Sequence, residues 1–155
     1  TAVRFLVEEG SGGQVIASAN AKRYAPFVAM VNGVDAQRAA ALYRQMYPLL
    51  QQAYRELGFG DRYFNDRVIQ VIDLLIATPE PASPPQVRLT EVKGPIASER
   101  PWVRYEYADP KLESLAAGQK ILVRMGPANA RQLKLKLAQL RAQLVQGAGR
   151  VAPAR

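Results

Sequence analysis

Residues 35–57, DAQRAAALYRQMYPLLQQAYREL, constrain the fold of this chain more than any other stretch. Ala39, Leu42, Tyr43, Met46, Leu49, Leu50, Ala53, Tyr54 and Leu57 recur at steps of three and four, the spacing that places side chains on one side of an α-helix. Asp35 suits the N-cap and Gly58 the residue just past the end. An apolar stripe this broad needs cover, so the other segments are expected to pack around it as a hub. Pro48 has no N–H to offer the carbonyl of Arg44, and a proline inside a helix costs about 3 kcal/mol. A kink over residues 44–48, or two abutting helices, is the expected result.

The rest of the composition narrows the chemistry. The chain has 155 residues, 48% of them hydrophobic, enough for one domain with a real core. Cysteine and histidine are both absent, which removes disulfides, thiolate nucleophiles, the commonest general base and the commonest zinc ligand. Neither a cofactor nor a metal site is expected. The apolar run at 68–77 is interrupted by Gln70 and Asp73 and falls short of a membrane span. Thr1 is not an initiator methionine, and the expectation is a fragment or processed form with any anchor upstream. The net charge of +8 is uneven: thirteen basic and thirteen acidic residues cancel over 1–113, and all eight excess cations lie in 114–155.

In chain order, residues 3–8 and 14–18 flank the glycine-dense 10–13 and predict a β-hairpin. A phosphate-binding loop would need Gly-Lys-Ser/Thr and a helix immediately afterwards, and neither follows. Asn20 or a neighbour could cap a short helix that stops at Asn32 and Gly33. A helix over 64–77 presents Phe64, Val68, Ile69, Ile72, Leu75 and Ile76 as a partner for the hub. Residues 78–86, TPEPASPPQ, read as a stiff connector. Strands are expected at 87–92 and 102–107, joining the hairpin in one small antiparallel sheet. Asp109 and Pro110 open a helix that runs through Met125. Gly126 and Pro127 turn into a last helix with a seam of Leu133, Leu137, Leu140 and Leu144. The expected architecture is therefore α+β and mainly helical, with about five helices around a central kinked helix and a small antiparallel sheet. Residues 1–147 are expected to form a single globular domain, and 148–155 a flexible tail.

Four stretches resemble a known family: RFLVEEGSGG at 4–13, LYRQMYPLLQQAYRELGF at 42–59, YFNDRVIQVIDLLIATPEP at 63–81, and AGQKILVRMG at 117–126 with Pro127, Asn129 and the basic helix after them. Together they resemble the bacterial family catalogued as domain of unknown function 3014. The resemblance implies a cell-envelope protein with an N-terminal membrane anchor and a proline-rich spacer before this domain, hence a periplasmic location. It implies no activity, cofactor or catalytic residue.

Three function classes remain. Catalysis without histidine or cysteine would rest on carboxylates such as Glu56, Asp61, Asp66 and Asp73, yet no nucleophile elbow, metal-ligand cluster or phosphate loop accompanies them. No catalytic, cofactor-binding or metal-binding residue is assigned, and the chain is read as a non-enzyme. A binding module for an anionic partner would use Lys120, Arg124, Arg131, Lys134 and Arg141, with Lys136 on the other flank. Its partner would be an acidic lipid surface or, less readily, nucleic acid. The preferred reading is a non-catalytic interaction or structural module of the envelope. Its unknown protein partner would be met by the basic helices or by Trp102 on the aromatic strand.

Overall fold

A computed structural model describes residues 5–90 and 104–148. Strands β1 (Val7–Gly10) and β2 (Gly13–Ile16) form the expected hairpin, with Val7 opposite Ile16 and Gly10 opposite Gly13. A 3₁₀ turn at Ser18–Arg23 leads into α1 (Ala25–Asn32), then α2 (Ala36–Tyr54), a wide π turn at Arg55–Phe59, and α3 (Phe64–Ile76). After the proline-rich stretch come β3 (Val87–Leu89), β4 (Tyr105–Tyr107), α4 (Pro110–Glu113), α5 (Ala117–Arg124) and α6 (Pro127–Ala148). The fold is α+β and mainly helical, with small antiparallel sheets.

The described residues fall into two compact units built from interleaved segments. One contains 5–25, 79–90 and 104–130; the other contains 26–78 and 131–148.

In the first unit, Ile16, Val87, Tyr107 and Val123 form a buried cluster, with Phe5, Val7, Tyr105, Leu112 and Leu115 packed against it. The strands make two two-stranded sheets, not the single sheet expected. They touch through one bridge between Val15 and Gln86, with the Ile16 N–H donating to the Pro85 carbonyl at 3.1 Å. Pro84 and Pro85 stand just ahead of β3 and have no N–H to give, so the ladder cannot extend along them. Positions 91–92 and 102–103 of the expected strands lie outside the described residues. Asn20 does not cap a helix. Its buried carboxamide accepts from the Leu6 N–H at 3.0 Å and donates to the Leu6 and Ala17 carbonyls, imitating a strand partner at the hairpin's entry. The expected single helix after Asp109 is divided. Asp109 caps α4 by accepting from the Lys111 N–H, but the Ser114 hydroxyl then bonds the Lys111 carbonyl. The chain restarts where the Gln119 side chain accepts from the Ala116 N–H. Gly126, at φ +83°, reverses the chain between α5 and α6, and a Cβ there would stand 3.3 Å from that of Ala21.

In the second unit, α3 partners α2 as its apolar face predicts. Ala40, Ile72 and Leu144 are buried together, with Tyr43, Val68, Ile69, Ile76 and Leu137 against them. Asp35 is the N-cap of α2, its carboxylate accepting from the Arg38 N–H at 2.7 Å. Of the two outcomes expected at Pro48, a kink or two abutting helices, the second is not found: α2 runs through Pro48 as one helix, with the proline on its exposed side. It opens into the π turn just before Gly58, whose φ of +92° ends the helical path.

Candidate functional site

The basic residues singled out from sequence are largely committed within their own units. Lys120 pairs with Glu113, which also accepts from the Tyr107 N–H at 2.8 Å. Burial favours the protonated Glu113 carboxyl, but the hydrogen bonds from Lys120 and the Tyr107 amide outweigh it and hold the pKa below its usual value. Arg124 donates to the Tyr105 carbonyl at 3.2 Å and lies 5.6 Å over the Tyr107 ring. In the second unit, Lys134 donates to the Thr78 carbonyl just past the end of α3, and Lys136 to the Val34 carbonyl just ahead of α2. Arg141 grips Asp73 through two bonds of 2.5 and 3.1 Å. Those bonds hold the Asp73 carboxyl below its ordinary range. Arg131 is exposed. Lys120 and Arg124 belong to one unit and Arg131, Lys134 and Arg141 to the other. Trp102 lies outside the described residues, as does 149–155 of the expected tail; Ala148 closes α6.

The carboxylates considered for acid–base chemistry are dispersed. Asp73 is in its ion pair, and Glu56 accepts from the Gln52 carboxamide at 2.9 Å. Asp61 and Asp66 line a cleft of about 570 Å³ whose walls also hold Arg62, Arg67 and Tyr63, next to the stacked Tyr54 and Phe59 rings. Two cations share that cleft with the two anions, so it does not isolate a carboxyl pair. A smaller apolar pocket of about 210 Å³ lies in the first unit between the proline-rich stretch and Leu122 and Val123. That is below the usual size of small-molecule sites, about 300–1,000 Å³. Among the described residues no cluster of three or more acidic side chains is placed to hold a metal ion, and no helix is long and apolar enough to cross a membrane.

The feature that sequence reasoning misjudged is on α2 itself. At about 100° per residue, the apolar stripe spans roughly 140° of the helix. Only the half carrying Ala40, Tyr43, Leu50 and Tyr54 is buried or half-buried. The adjoining half stands in solvent: Leu42 is 57% exposed, Met46 44%, Leu49 68% and Leu57, in the π turn, 75%. This outer stripe repeats at steps of four, three and four through Leu42, Met46, Leu49 and Ala53, the coiled-coil period. The breadth of the stripe was the available signal, since one neighbouring helix covers a narrower arc. Its flank carries Arg38, Gln45, Gln52 and Glu56. The inner half is held by Gln51, which is 7% exposed: its carboxamide oxygen accepts from the Tyr47 hydroxyl and the Phe64 N–H, and its nitrogen donates to the Arg62 carbonyl.

No curated protein and no solved structure matches the chain. A family model described as "Protein of unknown function (DUF3014)" matches residues 1–141, which agrees with the resemblance drawn from the four sequence stretches. The chain belongs to that family.

Proposed function

We propose that this chain is a non-catalytic interaction module of a bacterial cell-envelope protein, and that it binds another protein chain through the outer stripe of α2. One observation carries the reading: a helix already packed on its inner face keeps a second apolar row, Leu42, Met46 and Leu49, in water, followed by the exposed Leu57 in the π turn. Apolar side chains aligned on one helix at the coiled-coil period are what a partner helix covers, whereas singly scattered ones need no partner. The periplasmic location and upstream anchor follow from the family resemblance and belong to the same proposal. The runner-up, an anionic surface met through the basic helices, is weakened because Lys120, Arg124, Lys134, Lys136 and Arg141 already bond to groups of their own unit.

The test is replacement of Met46 and Leu49 together by Glu in the full-length anchored protein. The double variant is expected to keep its helical circular dichroism and lose the protein adducts that chemical cross-linking of intact cells gives with the unaltered chain. Vesicles rich in acidic lipid are expected not to retain the domain at physiological salt. Retention on such vesicles that disappears on Arg131→Glu with Lys134→Glu would replace this reading with the runner-up.

A further inference from the structure

The outer stripe of α2 has an internal symmetry that identifies what can cover it. Leu42 and Ala53 are equidistant from a point between Tyr47 and Pro48, and so are Met46 and Leu49. Arg38 and Glu56 lie on the same flank of the stripe at nearly mirrored positions about that point, with Gln45 and Gln52 between them. Glu56 stands in the π turn that continues α2, held beside Gln52 on that flank by a 2.9 Å hydrogen bond, so Arg38 and Glu56 come to similar heights when two copies of the helix run antiparallel. We propose that the occupant is a second copy of this chain, paired antiparallel through α2 about a two-fold axis beside residues 47 and 48. The inference rests on the interaction reading above and adds the identity of the partner.

In that arrangement Met46 of each copy packs beside Leu49 of the other at the centre, and Leu42 meets Ala53 towards each end. A large residue faces a small one there, so the helices can approach closely. Arg38 of each copy faces Glu56 of the other, one ion pair at either end, and the glutamines face each other between them. A two-fold contact must be self-complementary in this way, since each patch meets its own image. A parallel pairing would put this flank of the two copies on opposite sides of the seam, so neither Arg38 nor Glu56 would meet an opposite charge. Among the described residues the Glu56 carboxylate accepts one hydrogen bond, through Oε1 from the exposed Gln52 carboxamide. Pro48 lies well round the helix from the stripe and does not obstruct the approach. A contact about one helix long is small, so dissociation in roughly the micromolar range is expected.

The chain contains no cysteine, which makes single introduced thiols specific reporters. Mixing a Leu42→Cys chain with an Ala53→Cys chain under mild oxidation is expected to give the mixed disulfide dimer, while Leu42→Cys alone gives little. Sedimentation velocity on the cysteine-free chain is expected to show a dimer that Arg38→Glu weakens about tenfold. Adding Glu56→Arg to that variant is expected to restore it. The rescue separates a specific contact from damage to the fold. A chain that stays monomeric at concentrations on the order of 100 µM, or that forms the Leu42–Leu42 disulfide in preference to the mixed one, overturns the proposal. If the chain is monomeric yet its stripe still cross-links to a different protein in cells, the interaction reading stands and the second copy is excluded as the partner.

Discussion

The carboxamide of Gln51 joins three groups at the α2–α3 joint: the Tyr47 hydroxyl, the Phe64 N–H and the Arg62 carbonyl. Replacing it by Leu keeps the volume and removes all three bonds, leaving a helix-starting N–H and a loop carbonyl unpaired. Such orphaned groups cost about 1–3 kcal/mol each where buried, so Gln51→Leu should lower stability by about 2–3 kcal/mol. Urea unfolding with an unchanged m-value would register it. Tyr107 makes a pH-dependent case. Burial pushes its phenol from the ordinary 10.0 up to about 12, against a smaller opposing effect of Arg124. Below pH 10 both states keep the proton and its stabilisation is intact. Above that the unfolded chain loses the proton first, so stability falls as pH rises towards 12. Tyr107→Phe should therefore flatten the alkaline limb of stability against pH. At neutral pH it should cost about 1 kcal/mol for the lost bond to the Lys120 carbonyl, 2.9 Å away. Nothing local in the sequence marks either residue. Gln51 resembles any polar helix residue, and Tyr107 any strand aromatic, until the groups they bond are brought to them from 13 or so positions away.

At the scale of elements, α2 carries two stripes where the sequence shows one. Ala40 and Tyr43 pack with residues of α3 and α6 and Tyr54 meets Phe64 of α3, while Leu42, Met46 and Leu49 face away. Periodicity reports that residues share a side of a helix, not whether anything covers it, and two adjoining rows merge into one broad band. The N-cap Asp35 and the terminal Gly58 were legible because capping is local chemistry, confined to a turn. The hairpin was legible for the same reason, its glycine-dense turn fixing which strands meet. The break between α4 and α5 was not, because the Ser114 hydroxyl and the Gln119 carboxamide compete with backbone bonds on nearly equal terms. Pro48 leaves the Arg44 carbonyl without its usual donor inside an otherwise unbroken helix. Pro48→Ala should raise stability by about 1–3 kcal/mol by restoring that bond and relieving the ring's crowding. The urea midpoint reports the gain, and the stripe's register should be untouched because residue 48 lies off it.

At the scale of the whole molecule, the two units have separate hydrophobic clusters, one centred on Tyr107 and Val123 and one on Ala40, Ile72 and Leu144. Each is built from two separate stretches of the chain, which no reading of neighbouring residues reveals. The excess of cations in the last quarter is also explained at this scale. In the second unit Lys134, Lys136 and Arg141 reach back to Thr78, Val34 and Asp73, tying segments distant in sequence to α6. The outer row of α2 is apolar surface not spent on the fold, and the functional account rests on it. A photo-cross-linking amino acid placed in turn at residues 40 to 54 of the full-length protein in living cells tests that account most directly. Protein adducts are expected from positions 42, 46 and 49, and none from the inward 40, 43 and 54. Adducts with no helical periodicity, or to lipid alone, would contradict it.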